Sequence, residues 1–266
     1  MRHCLALVAL FLSLPLPAAQ LHLELGASTR EWSSAELLGH PEAQDISVDQ
    51  DVSYKRPMHY RAVPLATLLV GVSPSDHLQA VALDGFAAEM PAAPLLQQGP
   101  ARAWLAVEDP DKPWPALGKG KPSAGPFYLV WTEPRASGIR PEQWPFQIST
   151  LRKLAAVETR FPALLPDPKL PADSPVRQGF ALFQQNCMAC HRLNGAGDAQ
   201  MGPDLNVPHN PTEYFQPGYL RKLIRDPQSL RQWPQAKMPG FTESVLSEQE
   251  LDALLAYLGH MAKRRP

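Results

Sequence analysis

Cysteine is scarce in this chain of 266 residues, which contains only Cys4, Cys187 and Cys190. Cys4 lies in the N-terminal segment, so residues 20–160 contain no cysteine at all. If Cys187 and Cys190 act together, no thiol is left for a structural disulfide. A four-thiolate zinc site is excluded for the same reason. The thiol chemistry of the chain therefore rests on this one pair.

Long apolar runs and an excess of charge are also missing. Beyond residue 20, no apolar run approaches the roughly 18 residues that a membrane-spanning helix needs. The formal net charge is −1 at pH 7, which gives no electrostatic reason to expect nucleic acid as a partner. We therefore expect neither a nucleic-acid partner nor a membrane span in the mature chain.

Residues 1–19 have the features of a secretory signal peptide. Arg2 gives a basic start, residues 5–14 are apolar apart from Ser13, and Ala18 and Ala19 supply small residues before a cleavage point. The apolar core is too short to span a bilayer. We expect export to the periplasm, with loss of the leader and the cysteine within it.

Residues 187–191 are Cys-Met-Ala-Cys-His, a C-x-x-C-H run. Two thiols three positions apart on one turn can each add across a haem vinyl group, and the next imidazole then lies under the iron. A redox dithiol would need a βαβ context, and a half zinc site would need a second ligand pair. The run therefore predicts one covalent haem c with His191 as an iron ligand.

The sequence downstream continues with M-G-P-D-L at 201–205, K-M-P-G at 237–240 and a capped amphipathic helix at the C-terminus. Together with the C-x-x-C-H run, these segments make residues 176–266 resemble a class I, single-haem cytochrome c domain. The resemblance implies an all-α fold whose terminal helices cross near Gly179 and Phe183.

The same resemblance implies roles for individual residues. It implies that two cysteines form thioether bonds to the haem and that two further residues are the axial ligands of the iron. Two more residues shape the proximal side, where a proline carbonyl accepts a hydrogen bond from the second ring N–H of the histidine. The residues concerned are Cys187 and Cys190, His191 and Met238, and Gly202 and Pro203. Met201 and His209 remain alternatives for the sixth ligand. A six-coordinate iron has no open position, which favours electron transfer over substrate chemistry.

Residues 20–160 have short apolar segments separated by proline, glycine and aspartate. This pattern predicts an α+β domain. The predicted strands are 21–25, 45–54, 78–82, 103–107 and 127–131, and the predicted helices are 34–38 and 64–70.

The segments Y-R-A-V-P-L at 60–65, D-G-F at 84–86, G-P-F-Y-L-V-W at 125–131 and W-P-F-Q-I at 144–148 follow one another in this domain. In that order they resemble the sulfite-oxidase-type molybdopterin-binding fold. Catalytic members of that family bind molybdenum through a cysteine, which this domain lacks. The resemblance therefore implies the fold without its usual metal ligand.

Five prolines between residues 162 and 175 predict a semi-rigid linker over residues 161–175. The whole pattern predicts an electron-transfer protein rather than an enzyme. It would pass single electrons between a periplasmic dehydrogenase or oxidase and another carrier, with the N-terminal domain docking the partner or positioning the haem. The alternatives are a haem-coupled oxidoreductase with a pterin or other redox substrate in the N-terminal domain, and a haem-based gas sensor.

Overall fold

The computed structural model of the protein describes residues 18–134, 139–199, 201–216, 218–232 and 235–266. Nearly all of the predicted leader, residues 1–19, falls outside these ranges. Within them, no helix has both the length and the apolar character needed to cross a membrane. A sheet-rich N-terminal region is followed by a helical C-terminal region.

The N-terminal region alternates strands with short helices. The strands are β1 (Gln20–Leu25), β2 (Ser28–Ser33), β3 (Gln44–Val48), β4 (Met58–Pro64), β5 (His77–Ala82), β6 (Ala87–Pro91), β7 (Ala103–Val107), β8 (Phe127–Trp131) and β9 (Ile148–Leu154). The short helices are α1 (Ser34–Leu38), α2 (Leu65–Leu68), α3 (Ala92–Leu95) and α4 (Val157–Arg160).

These strands form two sheets around one hydrophobic core. The five-stranded sheet has the order β2-β1-β9-β5-β6, and the four-stranded sheet has the order β3-β4-β7-β8. The β1–β9 pair is parallel, and the other pairs are antiparallel. Every residue of β7 and β8 is buried, because these continuous apolar segments are covered on both faces. The α+β prediction for this region is confirmed.

The helical region contains α5 (Pro175–Asn186), α6 (Pro211–Tyr214), α7 (Tyr219–Arg225), α8 (Pro227–Leu230) and α9 (Glu248–Ala262). Helices α5 and α9 cross at Gly179, where a Cβ atom would lie 2.0 Å from the Ala253 carbonyl oxygen. The Tyr257 ring packs against Phe180 and Phe183, with centroid distances of 5.5 and 5.6 Å. The predicted crossing near Gly179 and Phe183 is confirmed.

Buried side-chain amides bind the C-terminal end of α9. The Asn206 Nδ2 atom donates to Asn194 Oδ1 at 2.6 Å and to the Met261 carbonyl at 2.7 Å. The Asn210 Nδ2 atom donates to the Leu258 carbonyl at 3.0 Å. Since the last carbonyls of a helix have no partner within the helix, these amides satisfy them and hold the loop after the C-x-x-C-H run against α9.

Two predicted elements of the N-terminal region are corrected. The strand predicted for 45–54 ends at Val48, because the buried Asp51 carboxylate accepts hydrogen bonds from the Ser53 and Tyr54 amides and closes a turn. The helix predicted for 64–70 is limited to α2, and Pro64 ends β4 instead of starting a helix. Strands β2, β4, β6 and β9 were not predicted.

The proline-rich segment 161–175 lies along the helical region instead of spanning a gap. Leu164 is fully buried in the core of that region, and its carbonyl accepts a hydrogen bond from the Tyr257 hydroxyl at 2.7 Å. The Asn194 Nδ2 atom donates to the Ala163 carbonyl at 3.0 Å. The segment therefore belongs to the packing of the helical region, while the boundaries 20–160, 161–175 and 176–266 stay predictions.

Candidate haem-binding site

The C-x-x-C-H run continues α5 as a further helical turn. The amides of Cys187 and Met188 both donate to the Phe183 carbonyl at 2.9 Å, and the amides of Cys190 and His191 donate to the Cys187 carbonyl at 3.0 and 2.9 Å. Because these bonds fix one turn and the three residues are spaced i, i+3 and i+4, both thiols and the imidazole lie on the same face of that turn. This is the arrangement that the sequence predicted for the run.

The two thiols are free, and neither is activated by its surroundings. Burial raises the pKa of Cys187 to about 12 and the pKa of Cys190 to about 11. A redox dithiol or a zinc ligand needs the opposite shift, toward an accessible thiolate. Among the described residues, no group of three or more His, Cys, Asp or Glu side chains is arranged to hold a metal ion. Neither thiol is therefore held as an accessible thiolate in this structure.

The His191 ring is oriented by its backbone neighbours. Its Nδ1–H donates to the Pro203 carbonyl at 2.8 Å, which leaves Nε2 as the nitrogen available to an iron ion. Burial lowers the pKa of His191, so the ring is held neutral, as a metal ligand must be. Gly202 lies directly against the ring, since a Cβ atom there would be 2.4 Å from Cε1. The hydrogen bond that the resemblance implied for Pro203 is present.

The loop that carries Met238 is held by the end of α7. The Phe241 amide donates to the Ile224 carbonyl at 2.9 Å, and a Cβ atom on Gly240 would lie 2.5 Å from the Arg225 carbonyl oxygen. Met238 itself is half-buried against the helical core. A close approach that only glycine allows thus fixes the segment next to this methionine.

The two alternative sixth ligands lie in different surroundings. The Met201 Sδ atom is 4.0 Å from the Cys190 Sγ atom, on the loop after the C-x-x-C-H run. His209 is exposed to solvent. The assignment of Met238 as sixth ligand stays a prediction, in which Met201 is the competitor closer to the cysteines.

These residues fit a c-type haem by their chemistry. They supply two protonated thiols on one turn, a neutral imidazole whose Nε2 accepts no hydrogen bond within the described residues, and a methionine in a fixed loop. A side chain at Gly202 would displace the ring. A haem held here would supply a one-electron iron couple, and the chain would hold and orient it.

The N-terminal region contacts the candidate site through the turn between β5 and β6. The Ala87 amide donates to the carbonyl of Ala189, inside the C-x-x-C-H run, at 3.3 Å. In the same turn, the Asp84 carboxylate lies 3.5 Å from the Lys237 ammonium, next to Met238. Ala189 and its neighbour Met188 are buried. One β-hairpin therefore touches two of the three segments that carry predicted haem-binding residues, the C-x-x-C-H run and the segment of Met238.

An ionic cluster reinforces this contact. Asp198, on the loop after the C-x-x-C-H run, accepts hydrogen bonds from Gln79 at 2.7 Å and from Arg160. Arg160 also pairs with the buried Glu89 at 3.1 Å, and Glu89 contacts His77 at 2.5 Å. Burial raises the pKa of Glu89, but the hydrogen bonds from His77 and Arg160 outweigh burial and hold it below its ordinary value. The Glu89 carboxylate is thus ionised at neutral pH.

A cavity of about 580 Å³ lies between the two regions beside this cluster. Both cations in its lining are near carboxylates, with Arg152 3.9 Å from Asp198 and Lys237 3.5 Å from Asp84. The full lining is Val81, Asp84, Gly85, Ala87, Arg152, Asp198, Met201 and Lys237. No local pattern predicted this cavity or the ionic cluster, because their members are far apart in the chain.

A comparison with protein families supports the prediction made for the helical region. The cytochrome c family model matches residues 176–262, so the C-terminal part of the chain is a cytochrome c domain, a class of domain that supports haem-based electron transfer. No curated protein with a similar sequence was found.

Among solved structures, the chain is similar to the sulfane dehydrogenase SoxCD from Paracoccus pantotrophus. The identity is 20% and the TM-score 0.38, and the similarity covers 54% of this chain and 40% of that chain. The chain thus spans less than half of the length of that protein. At these values the similarity does not establish a shared fold, and the sulfite-oxidase-type resemblance of residues 20–160 stays a prediction.

Proposed function

We propose that the protein is an exported, periplasmic cytochrome that carries single electrons on one covalent haem c. Cys187 and Cys190 would hold the haem through thioether bonds, and His191 and Met238 would be the axial ligands. The observation that carries the proposal is the His191 Nδ1–Pro203 hydrogen bond of 2.8 Å beside two protonated thiols on the same turn. This bond fixes which ring nitrogen faces the iron.

The N-terminal domain would position the haem domain and present it to a periplasmic oxidoreductase or another carrier. Support comes from the polar contacts between the regions, which are spread over several elements. They include the Ala87–Ala189 hydrogen bond, the Asp198–Arg160 pair and the contacts of Arg140 with Glu250 and the Val245 carbonyl. Contacts this distributed hold one relative orientation, which an electron carrier needs for a reproducible docking face.

The test is to produce the full chain in a bacterium that exports proteins and attaches haem to cytochromes. We expect haem that stays bound after denaturation, at one per chain, and no bound haem when Cys187 and Cys190 are both replaced by Ala. Haem that is released on denaturation of the unaltered chain would refute the covalent attachment.

The sixth ligand is tested by a matched pair of substitutions. Met238→Leu should remove the methionine-to-iron absorption band and lower the reduction potential, because a Met/His pair raises the potential relative to nitrogen-only ligation. Met201→Leu is the control and should leave the band in place. Loss of the band in Met201→Leu alone would assign the ligand to Met201 instead.

A haem-coupled oxidoreductase is the second candidate, and the cavity of about 580 Å³ between the regions favours it. Such a cavity is large enough for a small redox substrate beside the haem-bearing segment. The decisive measurement is iron and molybdenum per polypeptide in protein from a host that makes both cofactors. Iron near one per chain without molybdenum supports the carrier, whereas stoichiometric molybdenum would make the N-terminal domain a catalytic centre.

A further inference from the structure

Glu142 is a half-buried residue at the boundary between the two regions, and one oxygen of its carboxyl group is enclosed. It lies in the 3-10 turn Pro141–Gln143, between Arg140 and the buried side chains of Gln143 and Trp144. Its Oε2 atom is inaccessible to solvent and has no hydrogen-bond partner among the described residues. A buried polar atom without a partner is costly, so it calls for a functional explanation.

The groups that face this carboxyl come from both regions. Arg140 lies on its own turn and Lys55 on the loop between β3 and β4, and both favour the charged form. From the helical region, it faces Cys187 and Cys190. The Glu142 charge contributes to the raised pKa of Cys187 after burial, and to the raised pKa of Cys190 after burial and the Asp84 charge. Glu142 is therefore a group of the N-terminal domain that lies beside the haem-attachment turn.

Arg140, the cation that most favours the charged form of Glu142, is engaged elsewhere. Arg140 donates through Nη2 to the Glu250 carboxylate and through Nη1 to the Val245 carbonyl, both in the helical region. These contacts point its guanidinium across the boundary, and among the described residues no ion pair to Glu142 is formed. Burial consequently dominates and raises the pKa of Glu142 to about 7.

We propose that the Glu142 carboxylate takes up one proton from water when one electron enters the haem domain from a one-electron donor, and releases it when the electron leaves. The inference rests on the proposed function, because it needs haem attached beside Glu142. Entry of the electron removes one unit of positive charge, which raises the proton affinity of a nearby carboxylate. The N-terminal domain would thus supply the proton site that accompanies electron transfer in its neighbour.

The sign of the effect follows from the charges. The ionised carboxylate stabilises the oxidised, more positive centre, so the potential falls as the pH rises through the pKa of Glu142. We expect about a tenfold change in proton affinity, which is a shift of about one pKa unit. For one electron, a tenfold change corresponds to about 59 mV between the acid and alkaline limits.

The experiment is a redox titration of the full haem-loaded chain, from about two pH units below to about two above that pKa. Glu142→Gln should abolish the fall and keep the potential near the acid limit of the unaltered protein. Glu243→Gln removes the same charge from an exposed loop residue and should behave like the unaltered protein. A potential that does not change with pH in the unaltered protein, or an unchanged fall in Glu142→Gln, would overturn the inference.

A second measurement does not depend on the variant folding. Infrared difference spectra between the reduced and oxidised states of the unaltered chain should show a protonated carboxyl band that is gained on reduction. Absence of that band would overturn the inference while leaving the carrier function intact. A chain that acquires no covalent haem would instead refute the proposed function itself, so the two failures are distinguishable.

Discussion

The crossing of α5 and α9 gives the sharpest stability prediction, through the substitution Gly179→Ala. The added methyl group would lie 2.0 Å from the Ala253 carbonyl oxygen and 2.7 Å from the Tyr257 Cβ atom. The contact with the Ala253 carbonyl oxygen is with the backbone, which cannot move aside by a side-chain rotation. The two helices must therefore move apart, and the packing of Phe180 and Phe183 on Tyr257 must loosen.

The magnitude follows from opposing contributions. Replacing glycine by alanine in a helix interior stabilises the helix by about 1 kcal/mol. Overpacking costs about 1–3 kcal/mol, and each loosened aromatic contact costs a further 0.5–1.5 kcal/mol or so. With two aromatic contacts loosened, we expect a net loss of about 1–5 kcal/mol in the free energy of unfolding. In Gly259→Ala, nothing lies within 4 Å of the new methyl group, so that control should gain about 1 kcal/mol.

The assay is urea unfolding of both variants and the unaltered chain, followed by far-ultraviolet circular dichroism and by haem absorbance. The two substitutions should shift the midpoint in opposite directions, although each adds one methyl group to a helix of the same domain. A Gly179→Ala variant as stable as Gly259→Ala would show that the helices do not approach this closely, and the argument for their crossing would fail.

Three further outcomes are expected. Gly202→Ala should displace the His191 ring, because the methyl group would lie 2.4 Å from Cε1; it should cost about 1–3 kcal/mol of unfolding free energy and change the haem spectrum, and an unchanged spectrum would contradict the close packing. Asp198→Asn should weaken the contact with Arg160 by about 1 kcal/mol, measured as faster proteolysis between the regions; equal rates would count against it. The pKa of Glu89 is lowered in the folded state. The stability that its carboxylate contributes is therefore complete above the unfolded-state pKa of about 4.3 and is lost as the pH falls through the folded-state pKa. An acid titration that follows the contact between the two regions should show this loss in the unaltered chain, and Glu89→Gln should not show it.

The elements that were predicted correctly are those whose own residues form a recognisable local pattern. The strands at 103–107 and 127–131 are continuous apolar segments and lie where they were predicted. The capping box of Ser247 and Glu250 marks the start of α9, as predicted. The C-x-x-C-H run needs no tertiary context, because its function is set by spacing along one turn.

What was missed depends on partners that are distant in the chain. Strand β9 is parallel to β1, so that Leu23 pairs with Leu151, and no local pattern announces such a pairing. Strand β2 has only Trp32 buried and relies on β1 for its hydrogen bonds. Glu142 and Asp198 are acidic residues, a type that usually lies exposed on the surface, and only the packing of the two regions gives them a role.

The hydrogen bond from Ala87 to the Ala189 carbonyl also constrains the order of assembly. Met188 and Ala189 are buried where the C-x-x-C-H turn meets the β5–β6 hairpin, and the adjacent thiols are half-buried, so the two regions together limit the approach to the thiols. The N-terminal core draws its residues from the chain up to Leu151 and can form first. Haem attachment as proposed would then come second and closure of the boundary last, and an apoprotein that closes early would accept its cofactor more slowly.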